Sequence, residues 1–101
     1  AKEKVKAEAP SQIVERTVLA TGGIASLQGA APLHNGVIIT NLFGKIDIDI
    51  YVNVFYGANI PELSWDIQDR VKASLEESGS LQPSHINIHI EGVDTRNVRS
   101  N

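Results

Sequence analysis

Four side chains with the chemistry to hold a metal or move a proton fall on two alternating runs of this sequence. Asp47 and Asp49 lie in KIDIDIYVNVFY, and His85 and His89 lie in HINIHI. Imidazole nitrogens and carboxylate oxygens ligate zinc, but the ligands must converge at ~2.0–2.2 Å from one ion. Four steps along a strand separate the Cα atoms of His85 and His89 by about 13 Å. One ion does not easily hold both. A cross-strand site of one histidine with Asp47 or Asp49 competes with a plainer reading, in which all four are polar residues on a solvated sheet face. The expectation is therefore no bound metal and no other cofactor.

Asp47 and Asp49 stand about 7 Å apart on one face, a separation that would suit a carboxylate pair in acid–base work. Such a pair needs a concave, partly dry site that drives the two acidities apart, and a flat sheet face supplies none. Gly22 and Gly23 precede a strand rather than open a helix, so they read as turn residues and not as a phosphate cradle. Cysteine is absent, which removes thiol nucleophiles and disulfides, and no serine sits in a nucleophile elbow. No catalytic residue is assigned.

The aromatic residues carry more information. On a 100° wheel Trp65 falls roughly 140° from the centre of the apolar stripe Leu63, Ile67, Val71 and Leu75, beside Glu62, Asp69, Lys72 and Glu76. That position points away from the core, and two readings stand side by side: Trp65 folds under a neighbouring loop or the N-terminal lead-in, or it faces a partner surface, where tryptophan is enriched. Tyr51 and Phe55 lie on the polar side of the long alternating run, where they form a second candidate patch with a polar rim. Trp65, Tyr51 and Phe55 are thus the candidate protein-interaction residues.

The elements that position these groups follow from periodicity. Residues 10–20 read as a helix with Ser11 as N-cap and Ile13, Val14, Thr17 and Thr21 on one face, although so many β-branched residues also permit a strand. Strands are predicted over 24–28 and 37–40, with a loop containing Pro32 over 29–36. After a turn at Gly44, residues 45–56 form the clearest strand. Ile46, Ile48, Ile50, Val52, Val54 and Tyr56 face inward there, and the length of the run predicts a bulge or bend midway. Pro61 at the first helical position and Gly79 past the end frame a helix over 61–78, with Asp66–Arg70 and Lys72–Glu76 as exposed i,i+4 pairs. A last strand covers 85–90 with Ile86, Ile88 and Ile90 on one face. The fold class is α+β, in the order α-β-β-β-α-β, with a small mixed sheet of about four strands carrying two helices on one face.

The 101 residues, with 42% hydrophobic and 21% charged, suit one globular domain with a core large enough to need no metal or disulfide. Its expected limits are 10–93, with a charged, alanine-rich lead-in over 1–9 and a polar tail over 94–101; the missing initiator Met suggests a processed product. A net charge of -3 without dense Lys/Arg clusters argues against nucleic acid. No apolar run approaches the ~20 residues that span a bilayer, and the start is not a signal peptide, so direct membrane insertion is not expected. Absence of cysteine fits a reducing compartment, and the cytoplasm is the default.

The ordered run Val52-Asn53-Val54-Phe55-Tyr56-Gly57-Ala58-Asn59-Ile60-Pro61, then Gln68-Asp69-Arg70-Val71, then Ile86-Asn87-Ile88-His89-Ile90-Glu91-Gly92-Val93 resembles the alkaline shock protein family of Gram-positive bacteria. The first half matches more loosely, through a helix followed by Gly23-Ile24-Ala25-Ser26-Leu27. The resemblance implies a small cytoplasmic protein linked to cell-envelope stress, self-associating, and in some members held at the membrane by an integral membrane partner. It supplies no catalytic residues. The function expected is that of a non-enzymatic scaffold or adaptor. The rival is a small-ligand-binding or accessory subunit of a metabolic enzyme, which a deep pocket with convergent polar groups would favour.

Overall fold

The computed structural model describes residues 9–28 and 35–95. Helix α1 spans Pro10–Leu19. Pro10 occupies its first turn, where the missing N–H costs nothing, and Ala9 is the N-cap, its N–H donating to Gln12 Oε1 at 3.0 Å. Ser11 therefore lies inside the helix and not at its cap. The β-branched residues tolerate helical geometry because Ile13, Val14, Thr17 and Val18 are buried, and packing outweighs their modest propensity deficit. The Thr17 and Thr21 hydroxyls donate to the carbonyls of Ile13 (2.7 Å) and Thr17 (2.9 Å), so burial leaves neither unsatisfied.

Strands β1 (Ile24–Leu27) and β2 (Val37–Leu42) both run antiparallel to β3 (Lys45–Phe55). They share one edge of it. β1 pairs with 52–54 and β2 with 45–50, while between them the Gln28 N–H donates to the Tyr51 carbonyl and the Tyr51 N–H to the Gly36 carbonyl, each at 2.8 Å. β1 and β2 are thus one broken strand, interrupted between Gln28 and Gly36. The predicted loop around Pro32 falls mostly outside the described residues. On the other edge β4 (His85–Asp94) runs parallel to β3, which makes the sheet mixed.

Helix α2 (Ile60–Glu77) forms the crossover between those parallel strands. Asn59 is its N-cap, with Oδ1 accepting the Glu62 N–H at 3.1 Å, and Pro61 sits one position inside the first helical residue, Ile60. Leu63, Ile67, Val71 and Leu75 are buried as the stripe requires. They join Ile13, Val14 and Val18 of α1 and Ile24, Val37, Ile48, Ile50, Val52 and Val54 of the sheet in one core, flanked by partly buried Ile46, Ile86, Ile88 and Ile90. Thr17 Oγ1 lies 3.0 Å from Ser74 Oγ, joining the two helices across their interface.

Four details depart from the periodicity reading. Burial alternates without interruption from Ile48 to Phe55, and the register shifts fall opposite β3 instead, at Ala25 of β1 and Glu91 of β4. The partners absorb the twist of a long central strand while the strand itself stays regular. Tyr56 lies beyond the strand end and is 65% exposed, so it is not a core residue. The last strand runs on to Asp94, whose carbonyl accepts the Tyr56 N–H at 3.0 Å. Of the predicted ion pairs Asp66–Arg70 forms at 2.8 Å, while none joins Lys72 to Glu76.

Candidate functional site

With both helices on one face, the other face of the sheet presents the odd-numbered residues of β3 against in-register partners on β4. The rungs are Asp47 with His85, Asp49 with Asn87, Tyr51 with His89, Asn53 with Gly92 and Phe55 with Asp94. Side chains bond along and across these rungs. His85 Nδ1 lies 3.1 Å from Asp47 Oδ1, His89 Nε2 lies 2.9 Å from Asp49 Oδ1, and Asn87 Nδ2 donates to the same Asp49 oxygen at 3.2 Å. The His89 and Tyr51 rings stack with centroids 4.3 Å apart and planes 10° from parallel.

This arrangement commits the four side chains to cross-strand bonds. Each histidine is engaged by a different aspartate, and among the described residues no three histidine, aspartate or glutamate side chains come together as a metal site would need. Asp47 and Asp49 do not face each other across a cleft. Each is spent on a neighbour of the next strand, which ties the parallel edge strand to the centre through cross-strand side-chain pairs.

Asn53 extends the ladder toward β1, its Nδ2 lying 3.1 Å from Ser26 Oγ and 2.8 Å from Gln28 Oε1. Gly92 sits opposite. A Cβ at Gly92 would come within 2.8 Å of Asn53 Oδ1, so the glycine keeps room for the amide. Tyr51 and Phe55 are only half-buried, yet Tyr51 is covered in part by the His89 ring.

Trp65 stands apart from that face, on the solvent side of α2, and is 69% exposed. Neither the helix nor the described loops cover it. Periodicity missed a second apolar protrusion: the β2–β3 turn carries fully exposed Phe43 beside Leu42, itself 62% exposed. The pair Phe-Gly between two β runs, where turn chemistry favours Asn-Gly, was the available signal.

At the opposite end of β3, Gly22, Gly23, Ala58, Glu62, Leu63 and Asp66 line a surface hollow of about 320 Å³, together with Asn59. A second hollow, of about 410 Å³, lies between α2 and the start of β4 around Gln68, Lys72 and His85. Gln68 Nε2 donates to the Ile86 carbonyl there at 2.8 Å. Among the described residues no helix is long and apolar enough to cross a membrane, and no buried side-chain polar atom lacks a hydrogen-bond partner.

Among solved structures the chain is similar to variants of MamM CTD. One superposes with a TM-score of 0.63 at 12% identity over 88% of this chain and 100% of that chain. A zinc form of another variant gives 0.62 at 8% identity over 88% of each. At these identities the likeness concerns the fold alone. Among curated proteins it is similar to the uncharacterized proteins Spy1535 of Streptococcus pyogenes and YloU of Bacillus subtilis. The first is 38% identical over 62% of this chain and 50% of that protein, the second 28% over 74% and 62%. The chain thus spans about half to three fifths of the length of these relatives. Residues 5–95 match the model of the alkaline shock protein 23 family, described as having a cell envelope-related function. That match covers the helix, the long strand with its Tyr-Gly end, the Asn-capped helix and the final strand alike, and the chain belongs to this family.

Proposed function

We propose that this chain is a non-enzymatic scaffold or adaptor in cell-envelope homeostasis and stress response, acting by self-association and held at the inner face of the membrane by an integral membrane partner. The observation that carries the reading is Trp65. A large apolar ring on the charged side of α2 gains little from its own domain, whereas burying it in a partner would contribute about 2 kcal/mol or more. The outer sheet face supports the same reading, because its polar groups are already matched to one another and leave a firm, aromatic-bearing surface. The hollows are surface features lined mainly by helix-turn and strand-end residues, which favours the scaffold over a small-ligand-binding subunit.

The test is Trp65→Ala, with light scattering across concentrations and a thermal melt. Association is expected to weaken while the melting temperature stays near that of the wild type. Unchanged association together with a sharply lower melting temperature would assign Trp65 to intramolecular packing. Tyr51→Ser and Phe55→Ser apply the same comparison to the sheet face.

A further inference from the structure

The turn between β2 and β3 is built from the wrong residue for its shape. Leu42 pairs with Lys45, leaving Phe43 and Gly44 as the connection, with φ of 52° and 83°. Two positive φ values in a two-residue hairpin suit Asn, Asp or Gly; a bulky aromatic residue there is strained. The Asn41 side chain braces the turn, accepting the Gly44 N–H at 3.1 Å. Beyond that bond, no packing among the described residues repays the strain, since the Phe43 ring is fully exposed and Leu42 is exposed beside it.

The complementary feature lies at the other end of the sheet. The hollow lined by Gly22, Gly23, Ala58, Glu62 and Leu63 is separated from the turn by the 11 residues of β3, about 33 Å at the usual rise. The turn of one copy therefore does not reach the hollow of the same copy. A Cβ placed on Gly22 would meet nothing within 4 Å, so that wall is open. The charges match as well. Lys45 beside the turn and Glu62 on the rim form no ion pair among the described residues, whereas Asp66 is already held by Arg70.

We propose that the β2–β3 turn of one copy docks into this hollow on a second copy, Phe43 and Leu42 entering over Ala58 and Leu63 while Lys45 reaches Glu62. This rests on the self-association reading and names a surface for it. A lipid surface is the less suitable host for the same turn, because one lysine on a chain of net charge -3 offers little attraction to anionic headgroups. The contact is small and joins unlike surfaces, so it is weak by itself, and a pair still has one turn and one hollow unused.

Two variants of the full chain test it by sedimentation velocity. Phe43→Asn relieves the turn while removing the ring, so the melting temperature is expected to hold or rise while association weakens at least about tenfold. Glu62→Lys is expected to weaken association similarly by setting like charges against each other. Mixed one to one, the two variants still offer one intact turn and one intact hollow, and they are expected to form a heterodimer and nothing larger. Wild-type-like association of Phe43→Asn, or a mixture that stays monomeric where the wild type associates, overturns the proposal while leaving self-association standing. A wild type that is monomeric at every concentration sinks both. Co-sedimentation of wild type, but not Phe43→Asn, with vesicles of four parts phosphatidylcholine to one of phosphatidylserine, with equal self-association of the two, would assign the turn to lipid and overturn the proposal too.

Discussion

Gly36→Ala puts the broken-strand description to a severe test. Gly36 sits where β2 resumes, with φ of +86°, and its carbonyl accepts the Tyr51 N–H. A Cβ there would stand 2.9 Å from Leu27 Cβ and 3.0 Å from both the Gln28 nitrogen and the Tyr51 carbonyl oxygen. Two of those neighbours are backbone atoms held in the sheet, so they cannot yield as a side chain would. Left-handed backbone costs a non-glycine residue about 1–2 kcal/mol, and forcing a methyl into filled space costs about 1–3 kcal/mol more. Gly44→Ala provides the control, since its φ is +83° but a Cβ meets nothing within 4 Å. Urea unfolding of both variants should show Gly36→Ala losing roughly 2–5 kcal/mol and Gly44→Ala only about 1–2 kcal/mol. Equal losses would mean that Gln28 and Gly36 do not close on Tyr51 as described, and that β1 and β2 are not halves of one strand.

Val71 has no exposed surface in the middle of the α2 stripe, so Val71→Asp is expected to cost several kcal/mol and abolish the cooperative melt; a near-normal transition would show that the helical register is wrong. Asn59→Ala removes the acceptor for the Glu62 N–H and should cost about 1 kcal/mol in urea unfolding, against no change if the cap is immaterial. Because His85 and His89 are engaged by different aspartates, the native protein should contain no stoichiometric transition metal by elemental analysis. Its melt should be unmoved by a chelator; a large downward shift would reveal a structural ion.

Much of this architecture was legible because two periodicities dominate it. Ile48, Ile50, Val52 and Val54 alternate without a break, and Leu63, Ile67, Val71 and Leu75 recur at helical spacing, so each buried face could be read from the chain alone. The errors lie where local signals compete. Ser11 is a good N-cap residue, but Pro10 fits the first turn so well that the cap moves back to Ala9. The bulges at Ala25 and Glu91 depend on how a long strand's twist is shared among its neighbours, which no single segment encodes.

The outer sheet face shows why residue type alone misleads about chemistry. Aspartate and histidine at alternate positions are what a metal or acid–base site would use, and they are also what a solvated parallel pair uses to hold its register. Here Asp47 is in register with His85 and Tyr51 with His89, the arrangement of the second use. Asp47 bonds the histidine opposite it, while Asp49 takes Asn87 opposite and His89 on the diagonal, so the two histidines go to different carboxylates. The aromatic residues divide in the same way between internal pairing and exposure. Tyr51 is stacked on His89, whereas Trp65 on α2, Phe43 at the β2–β3 turn and Tyr56 past the end of β3 project their rings into solvent. The exposed rings of Trp65, Phe43 and Tyr56, with Leu42 beside the turn, offer apolar surface that a protein partner could bury.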